Sequence, residues 1–147
     1  MKEFVFLYPD TETIGQEIEN QGRFWDGGIE TFREKYKSTL NACIDARYRQ
    51  KGFGINYVML DDGVISDVIE LCSSDRIIRV GMDTKTHTTK QPDGTYPYPD
   101  QDFILDQLNG VRVIVVAGFH MWDCVEKLAK RAYERDLDVL VDEDLTE

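Results

Sequence analysis

The sequence contains few of the residues that would indicate a disulfide framework, a metal site or a membrane segment. Its three cysteines, Cys43, Cys72 and Cys124, are far apart, odd in number and without CxxC spacing, so neither paired disulfides nor a zinc site is indicated. No run of about 18 apolar residues is present, which argues against a membrane-spanning helix. The N-terminal MKEFVFLYPD has one lysine and a short apolar run, which is typical of a first strand rather than a signal peptide. We therefore expect a cytoplasmic protein.

Basic residues and cofactor motifs are also scarce. Lys and Arg number 17 against 28 Asp and Glu, the formal charge is -11, and no basic patch follows a phosphate backbone, so nucleic acid is not a predicted partner. No Walker loop, GxGxxG or HExxH motif occurs, and we predict no metal and no other cofactor. A chain of 147 residues with 41% hydrophobic content is predicted to form one domain over residues 1–147.

Apolar runs and helical periodicities alternate along the chain. The predicted strands are residues 3–8, 54–60, 76–82, 111–117 and 137–141. The predicted helices are residues 31–51, 64–72, 102–108 and 122–135, with Cys43 and Cys72 on the apolar faces of the first two. This alternation predicts an α/β fold, a three-layer α/β/α sandwich around a five-stranded, mainly parallel sheet.

Three segments lack a clear pattern. Residues 9–30 are polar and contain glycine, and we interpret them as a long connection that carries function or a partial helix. Residues 83–101 hold three of the four prolines and are predicted to be a structured binding loop or lid. The acidic end, residues 141–147, is predicted to be solvated. Because ligands of parallel sheets bind beyond the carboxyl ends of the strands, we expect Asp10, the 83–101 loop and the 118–124 turn to meet there.

Two segments resemble the isochorismatase-like cysteine hydrolases. VIVVAGFHMWDCVEKLAKRAYERDLDVLVDED is similar to that family's C-terminal pattern of strand, Gly, Cys-Val, helix, strand and acidic end. ACIDARYRQKGFGINYV is similar to its helix ending in Ala-Arg before a Gly and the second strand. The matching positions are Gly118, Cys124, Val125, Ala132, Val139, Glu143, Asp144, Ala46, Arg47 and Gly52. The resemblance implies the isochorismatase-like fold with strand order 3-2-1-4-5, and an assembly of identical subunits.

The resemblance also implies a catalytic triad of aspartate, lysine and cysteine. Cys124 takes the place of the nucleophile that attacks an amide, an ester or a similar carbon. Asp10 is the nearest carboxylate to the place of the proton acceptor, where this chain has Tyr8 and Pro9. Lys85 and Lys90 are the candidates for the supporting cation, because Arg79 and Val80 occupy the expected place of the lysine.

The residues themselves leave alternatives open. Cys124 at a helix N-terminus is either a thiolate with a lowered pKa or a small core residue. His120 is either a base or a turn residue, and Phe119 precedes it as a candidate substrate contact. Tyr96 and Trp25 are aromatic candidates that either cover a ligand or hold the chain in place.

The leading functional prediction is a cysteine hydrolase of the isochorismatase-like kind, acting on a small amide, ester or related metabolite. The alternative is a catalytically silent domain of the same fold that binds a small molecule or a protein partner. A structural subunit of a homo-oligomer is a third possibility. The hydrolase requires that Cys124 open onto a cleft and that a carboxylate come within hydrogen-bond reach of it.

Overall fold

Strands and helices alternate through the chain in a computed structural model, which describes the backbone of residues 1–147 and all side chains except those of residues 121 and 122. The strands are β1 (Lys2–Leu7), β2 (Gly54–Met59), β3 (Arg76–Arg79), β4 (Val113–Gly118) and β5 (Asp138–Thr146). The helices are α1 (Thr11–Gly22), α2 (Gly28–Arg47), α3 (Thr84–Thr88), α4 (Gln101–Asp106) and α5 (Glu126–Glu134). A 3₁₀ turn (Arg49–Lys51) follows α2, and a π-helical turn (Met121–Val125) precedes α5. None of the helices so described has the length and apolar content needed to cross a bilayer.

The five strands form one sheet in the order β3-β2-β1-β4-β5, and every neighbouring pair is parallel. One hydrophobic cluster joins the sheet to α1 and α2, and a second joins its other face to α4 and α5. The predicted three-layer α/β/α fold and its strand order are therefore confirmed.

The alternation of side chains along β1 explains why one strand serves both layers. Phe4 and Phe6 belong to the cluster under α1 and α2, whereas Val5 and Leu7 belong to the cluster under α4 and α5. Successive side chains of a strand point to opposite faces of the sheet, and a strand covered on both faces is apolar throughout. The unbroken apolar run at the N-terminus is the sequence signature of this central position.

Gly118 ends β4 at a point where no other residue fits. Its φ is +119°, a conformation that L side chains rarely adopt. A Cβ atom there would lie 2.4 Å from the carbonyl oxygen of Leu7 on the neighbouring strand. The close approach of β1 and β4 at this point determines where the turn toward α5 begins.

The prediction of a helix over residues 64–72 is wrong, since this segment is an irregular connection. The Asn41 side chain provides the reason: its Nδ2 donates to the Val68 carbonyl at 2.7 Å, and its Oδ1 accepts from the Glu70 N–H at 2.9 Å. The backbone thus bonds to α2 instead of to its own next turn. Val68 is buried, but Cys72 is exposed, so the expected core position of Cys72 is also wrong. Cys43 is half-buried.

The acidic end is a strand rather than a solvated tail, which corrects the expectation for residues 141–147. Asp142, 7% exposed in its side chain, accepts from both Arg47 and Tyr48. A second nitrogen of Arg47 donates to Asp144 at 2.9 Å. The two segments that carry the family resemblance therefore meet through Arg47 and the end of β5.

Other boundaries differ more modestly. Residues 9–30 contain the whole of α1, for which Asp10 is the N-cap. The next helix begins at Gly28 and ends at Arg47, whereas the periodicity predicted residues 31–51. The loop at residues 83–101 contains the short helix α3.

Candidate functional site

A cleft of about 560 Å³ opens at the carboxyl edge of the sheet. It lies between the start of α1, the turn after β2, α3 and the turn after β4. The described side chains and backbone that line it include Tyr8, Asp10, Asp62, Thr84, His87 and His120. The predicted meeting of Asp10, the 83–101 loop and the 118–124 turn is thus realised in the walls of this cleft.

Asp10 lies in the cleft wall, but its carboxylate already has a structural task. The side chain accepts a hydrogen bond of 2.7 Å from the Thr13 N–H, as an N-cap does. Its backbone forms an isolated antiparallel bridge with Ile65. Asp10 therefore stabilises the start of α1 and holds the segment after β2 beside the cleft.

Cys124 lies behind this wall and is only 2% exposed. It belongs to the cluster of Val5, Leu7, Tyr8 and the inner face of α5. The phenol of Tyr8, the first residue after β1, belongs to the same cluster and lies close to the thiol. Tyr8 has a φ of +61°, a costly conformation for an aromatic residue, and it stands where the family's aspartate was expected.

Burial raises the pKa of the Cys124 thiol to about 11, and the nearby Tyr8 hydroxyl and the charge of Lys127 only partly oppose this rise. The nearby charge of Asp123 raises it further. Helix N-termini lower a thiol pKa when their N–H groups face the sulfur. Here the N–H groups of Asp123 and Val125 both donate to the His120 carbonyl, at 3.1 and 3.2 Å. The environment thus favours the neutral thiol.

Three side chains form what we call the latch, composed of Tyr98, Asp123 and Lys127. The Tyr98 hydroxyl donates to Asp123 at 2.7 Å, Lys127 Nζ donates to Asp123 at 3.0 Å, and the same ammonium lies 4.4 Å from the centre of the Tyr98 ring. Although burial raises the pKa of Asp123, these two hydrogen bonds hold it below its ordinary value. The latch fastens the 83–101 loop to the start of α5.

His87 connects the latch to the cleft. Its ring meets that of Tyr98 edge to face, with centroids 5.3 Å apart, and its Nδ1 lies 2.8 Å from the Pro97 carbonyl oxygen. His87 also lines the cleft. A displacement of Tyr98 would therefore also move His87 in the cleft wall.

The two predicted lysines do not join this arrangement. Lys85 lies on α3 and Lys90 follows it; both are exposed, and neither is among the residues that line the cleft. Arg79, which occupies the expected place of the lysine, donates to the backbone carbonyls of Leu60 and Gly63. The cation that acts on Cys124 is Lys127.

The predicted substrate contacts separate into two groups. His120 is exposed in the cleft wall with its ring centroid 6.3 Å from that of Tyr8. Phe119 is buried in the core cluster under α1 and α2. Tyr96 is 46% exposed and outside the cleft. Trp25, in the α1–α2 connection, packs edge to face on Phe32 of α2.

Sequence reasoning did not name four residues of this region as site residues: Tyr8, Asp123, Lys127 and Asp62. The position of Tyr8 directly after a buried strand was a usable signal, because that edge carries the ligand sites of parallel sheets. The i, i+4 spacing of Asp123 and Lys127 was another. For Asp62 the sequence indicated only a turn after β2 and no role in a site. Among the side chains that the structure describes, no three His, Cys, Asp or Glu residues are grouped to hold a metal ion.

The fold is shared with an enzyme of known structure. The crystal structure of N-carbamoylsarcosine amidase from Thermoplasma acidophilum matches with a TM-score of 0.56 over 99% of this chain and 83% of that chain, at 19% sequence identity. At this identity the likeness establishes the isochorismatase-like fold. It does not extend to the catalytic activity, which has to be inferred from the residues of the site. A scan of protein-family models finds no match, and a search of curated protein sequences finds none either.

Proposed function

We propose that the protein is a catalytically silent domain of the isochorismatase-like fold that binds a small molecule in the cleft. The observation that carries this proposal is the setting of Cys124, which is 2% exposed and packs with Tyr8 in an apolar cluster behind the cleft wall. A nucleophilic cysteine acts as the thiolate. With a pKa of about 11, on the order of one thiol in ten thousand is ionised at pH 7.

The proton acceptor is the second requirement of a cysteine hydrolase, and the chain offers poor candidates for it. Asp10 caps α1, and Asp123 is engaged by Tyr98 and Lys127. Tyr8 is no substitute, because burial raises the pKa of its hydroxyl far above the ordinary value. A phenol that keeps its proton cannot take one from a thiol.

The cleft itself has the properties of a ligand site. Its volume of about 560 Å³ lies within the range of small-molecule pockets, and it occupies the edge of a parallel sheet where ligands bind. Its wall combines rings, hydroxyls and carboxylates on four different segments. Binding without chemistry at Cys124 accounts for both the open cleft and the buried thiol.

The competing candidate is the cysteine hydrolase, which the shared fold with an amidase supports. The test is ammonia release from N-carbamoylsarcosine and from a panel of small primary amides, with the unaltered protein and Cys124→Ala side by side. We expect no release above the Cys124→Ala background. Turnover that disappears in Cys124→Ala would replace the binding proposal with the hydrolase.

Several broader features belong to the same proposal: a single domain, a cytoplasmic location, no nucleic-acid partner and an assembly of identical subunits. The exposed Phe24 and the half-exposed Trp25 on the α1–α2 connection provide an apolar contact for such an assembly. Light scattering of the unaltered protein and of Phe24→Ser would test it. A monomer at all accessible concentrations would remove the oligomer from the proposal.

A further inference from the structure

We propose that the ligand of the cleft is a small molecule with a positively charged nitrogen, most simply an aliphatic amine. This inference rests on the proposed function, since it requires that the cleft bind a ligand at all. It adds the sign of the ligand's charge, which no comparison assigns. Three independent features of the cleft wall support it.

The first feature is the charge of the wall. Three acidic residues line it, Asp10, Glu12 and Asp62, and the described residues of the lining include no lysine or arginine. Hydrogen bonds from the Thr84 N–H and hydroxyl, each 2.9 Å long, hold the pKa of Asp62 below its ordinary value. That carboxylate is therefore negative at neutral pH, and a cation gains where an anion would be repelled.

The second feature is the use of N–H groups at the start of α1 within the chain. The start of α1 faces the cleft, and free N–H groups at a helix start attract anions. Here the Thr11 N–H donates to the Val64 carbonyl at 2.9 Å, the Thr13 N–H to the Asp10 carboxylate at 2.7 Å, and the Ile14 N–H to the Asp10 carbonyl at 3.0 Å. These three donors are used within the chain, so the start of α1 offers a phosphate or a carboxylate fewer N–H groups than an uncapped helix start.

The third feature is the combination of rings and hydroxyls. Tyr8, which is 5% exposed, and the exposed His120 both line the cleft, and their ring centroids lie 6.3 Å apart. The hydroxyl residues Thr11, Thr84 and Thr88 belong to the same lining. The face of a phenol ring attracts a nearby cation, and hydroxyl oxygens accept hydrogen bonds from an ammonium group. The negative charge of the carboxylates attracts an alkylammonium ion, whereas a neutral molecule of the same shape gains nothing from that charge.

Three four-carbon probes of matched length separate the possible outcomes: putrescine, butanediol and succinate, which are a dication, a neutral diol and a dianion. Binding is followed by two-dimensional NMR of the backbone amides of Gly63, Thr84, His87 and His120. We expect putrescine to shift these amides and to bind at least tenfold more tightly than butanediol. Succinate should leave them unshifted.

A matched pair of variants assigns the effect to the cleft. Asp62→Asn keeps the oxygen that accepts from Thr84 and removes the charge, and the loss of one charge contact of this kind weakens binding about fivefold. Glu143→Gln removes one charge from the exposed face of β5 and should leave putrescine affinity unchanged. Equal weakening in both variants would mean that putrescine responds only to net charge, and would overturn the inference.

The remaining outcomes distinguish this inference from the proposed function. Butanediol or succinate that shifts the cleft amides as strongly as putrescine would overturn the charge of the ligand and leave the cleft as a binding site. If none of the three probes shifts those amides, both the inference and the binding function are overturned.

Discussion

Cys124 and Cys72 are two thiols in opposite surroundings. Cys124 packs among apolar side chains behind the Tyr8 ring. Cys72 is exposed, and its backbone N–H donates at 2.9 Å to Asp75, which also binds Arg49 at 2.7 Å. The thiol beside the helix start is the shielded one, and the thiol in an irregular loop is the accessible one. Burial and the direction of nearby N–H groups, more than the type of the neighbouring element, set how available a cysteine is.

The contrast between the two thiols is sharpest in their alkylation rates. We expect iodoacetamide to modify Cys72 at least about 100-fold faster than Cys124 in the folded protein at neutral pH, because Cys124 is both enclosed and protonated. Mass spectrometry of the separate cysteine peptides measures the two rates. In denaturant the two residues should react alike, which serves as the control. Rapid modification of Cys124 in the folded state would contradict the account of its surroundings.

Gly118→Ala is expected to break the shielding of Cys124. The new methyl group would meet the Leu7 carbonyl oxygen and strain a positive φ, which together should lower the free energy of unfolding by about 3 kcal/mol. Urea unfolding measures the loss, and Cys124 alkylation should accelerate while that of Cys72 stays the same. Gly15→Ala is the matched control, because a Cβ at Gly15 meets no atom within 4 Å. Equal stability of the two variants would be evidence against the close approach at Gly118.

The raised pKa of Cys124 also predicts a pH dependence of stability. Because the folded-state pKa, about 11, lies above that of an unfolded thiol, its contribution is complete below about pH 8.5 and is lost progressively up to pH 11. The loss should reach about 1 to 2 kcal/mol near pH 10. Comparing urea unfolding at pH 8 and 10 for Cys124→Ala and the unaltered protein isolates this loss, which the variant should lack.

Cys72→Ala is the control for this pH experiment, since it removes an exposed thiol. It should lose stability between pH 8 and 10 as the unaltered protein does. A Cys124→Ala variant that loses as much stability as the unaltered protein would show that Cys124 does not retain its proton in the folded state.

The smallest expected effect concerns the latch. Tyr98→Phe keeps the ring beside Lys127 and removes the hydroxyl that donates to Asp123, at a cost of about 1 kcal/mol. If opening of the 83–101 loop exposes Cys124, its alkylation should accelerate about fivefold. Tyr96→Phe changes the same atom on an exposed ring of the same loop and should have no effect. Identical rates of Cys124 alkylation in the two variants would show that the latch does not control access to Cys124.

The sequence predicted the fold well because the three central strands, β1, β2 and β4, are covered on both faces. Runs such as Phe4–Leu7 and Val113–Ala117 are typical of strands in the centre of a parallel sheet, so the type of these elements was predictable from the residues, whereas the strand order came from the family resemblance. The helix expected at residues 64–72 failed because Asn41, far away in the sequence, binds that segment's backbone. The prediction of a solvated acidic end was wrong for a similar reason, because Arg47 and Tyr48, about a hundred residues earlier in the chain, bind Asp142.

The site was predictable in place but not in chemistry. The meeting of Asp10 and His120 at the carboxyl edge followed from topology alone. The exposure of Cys124 depends on where the Tyr8 ring packs. The Asp10 carboxylate accepts a hydrogen bond from the first turn of α1. Both are decided by side-chain geometry within a few ångströms, which residue spacing along the chain does not encode.

The free edge of β5 has a consequence for the solution behaviour of the protein. As the last strand of the sheet, β5 carries unpaired backbone groups along one side, with Leu140 and Val141 exposed on it. Antiparallel pairing of two such edges about these residues would set Asp138 opposite Glu143, and facing like charges disfavour that pairing. Salt screens this repulsion between the two edges. Concentrated stocks should therefore remain dispersed longest at low ionic strength.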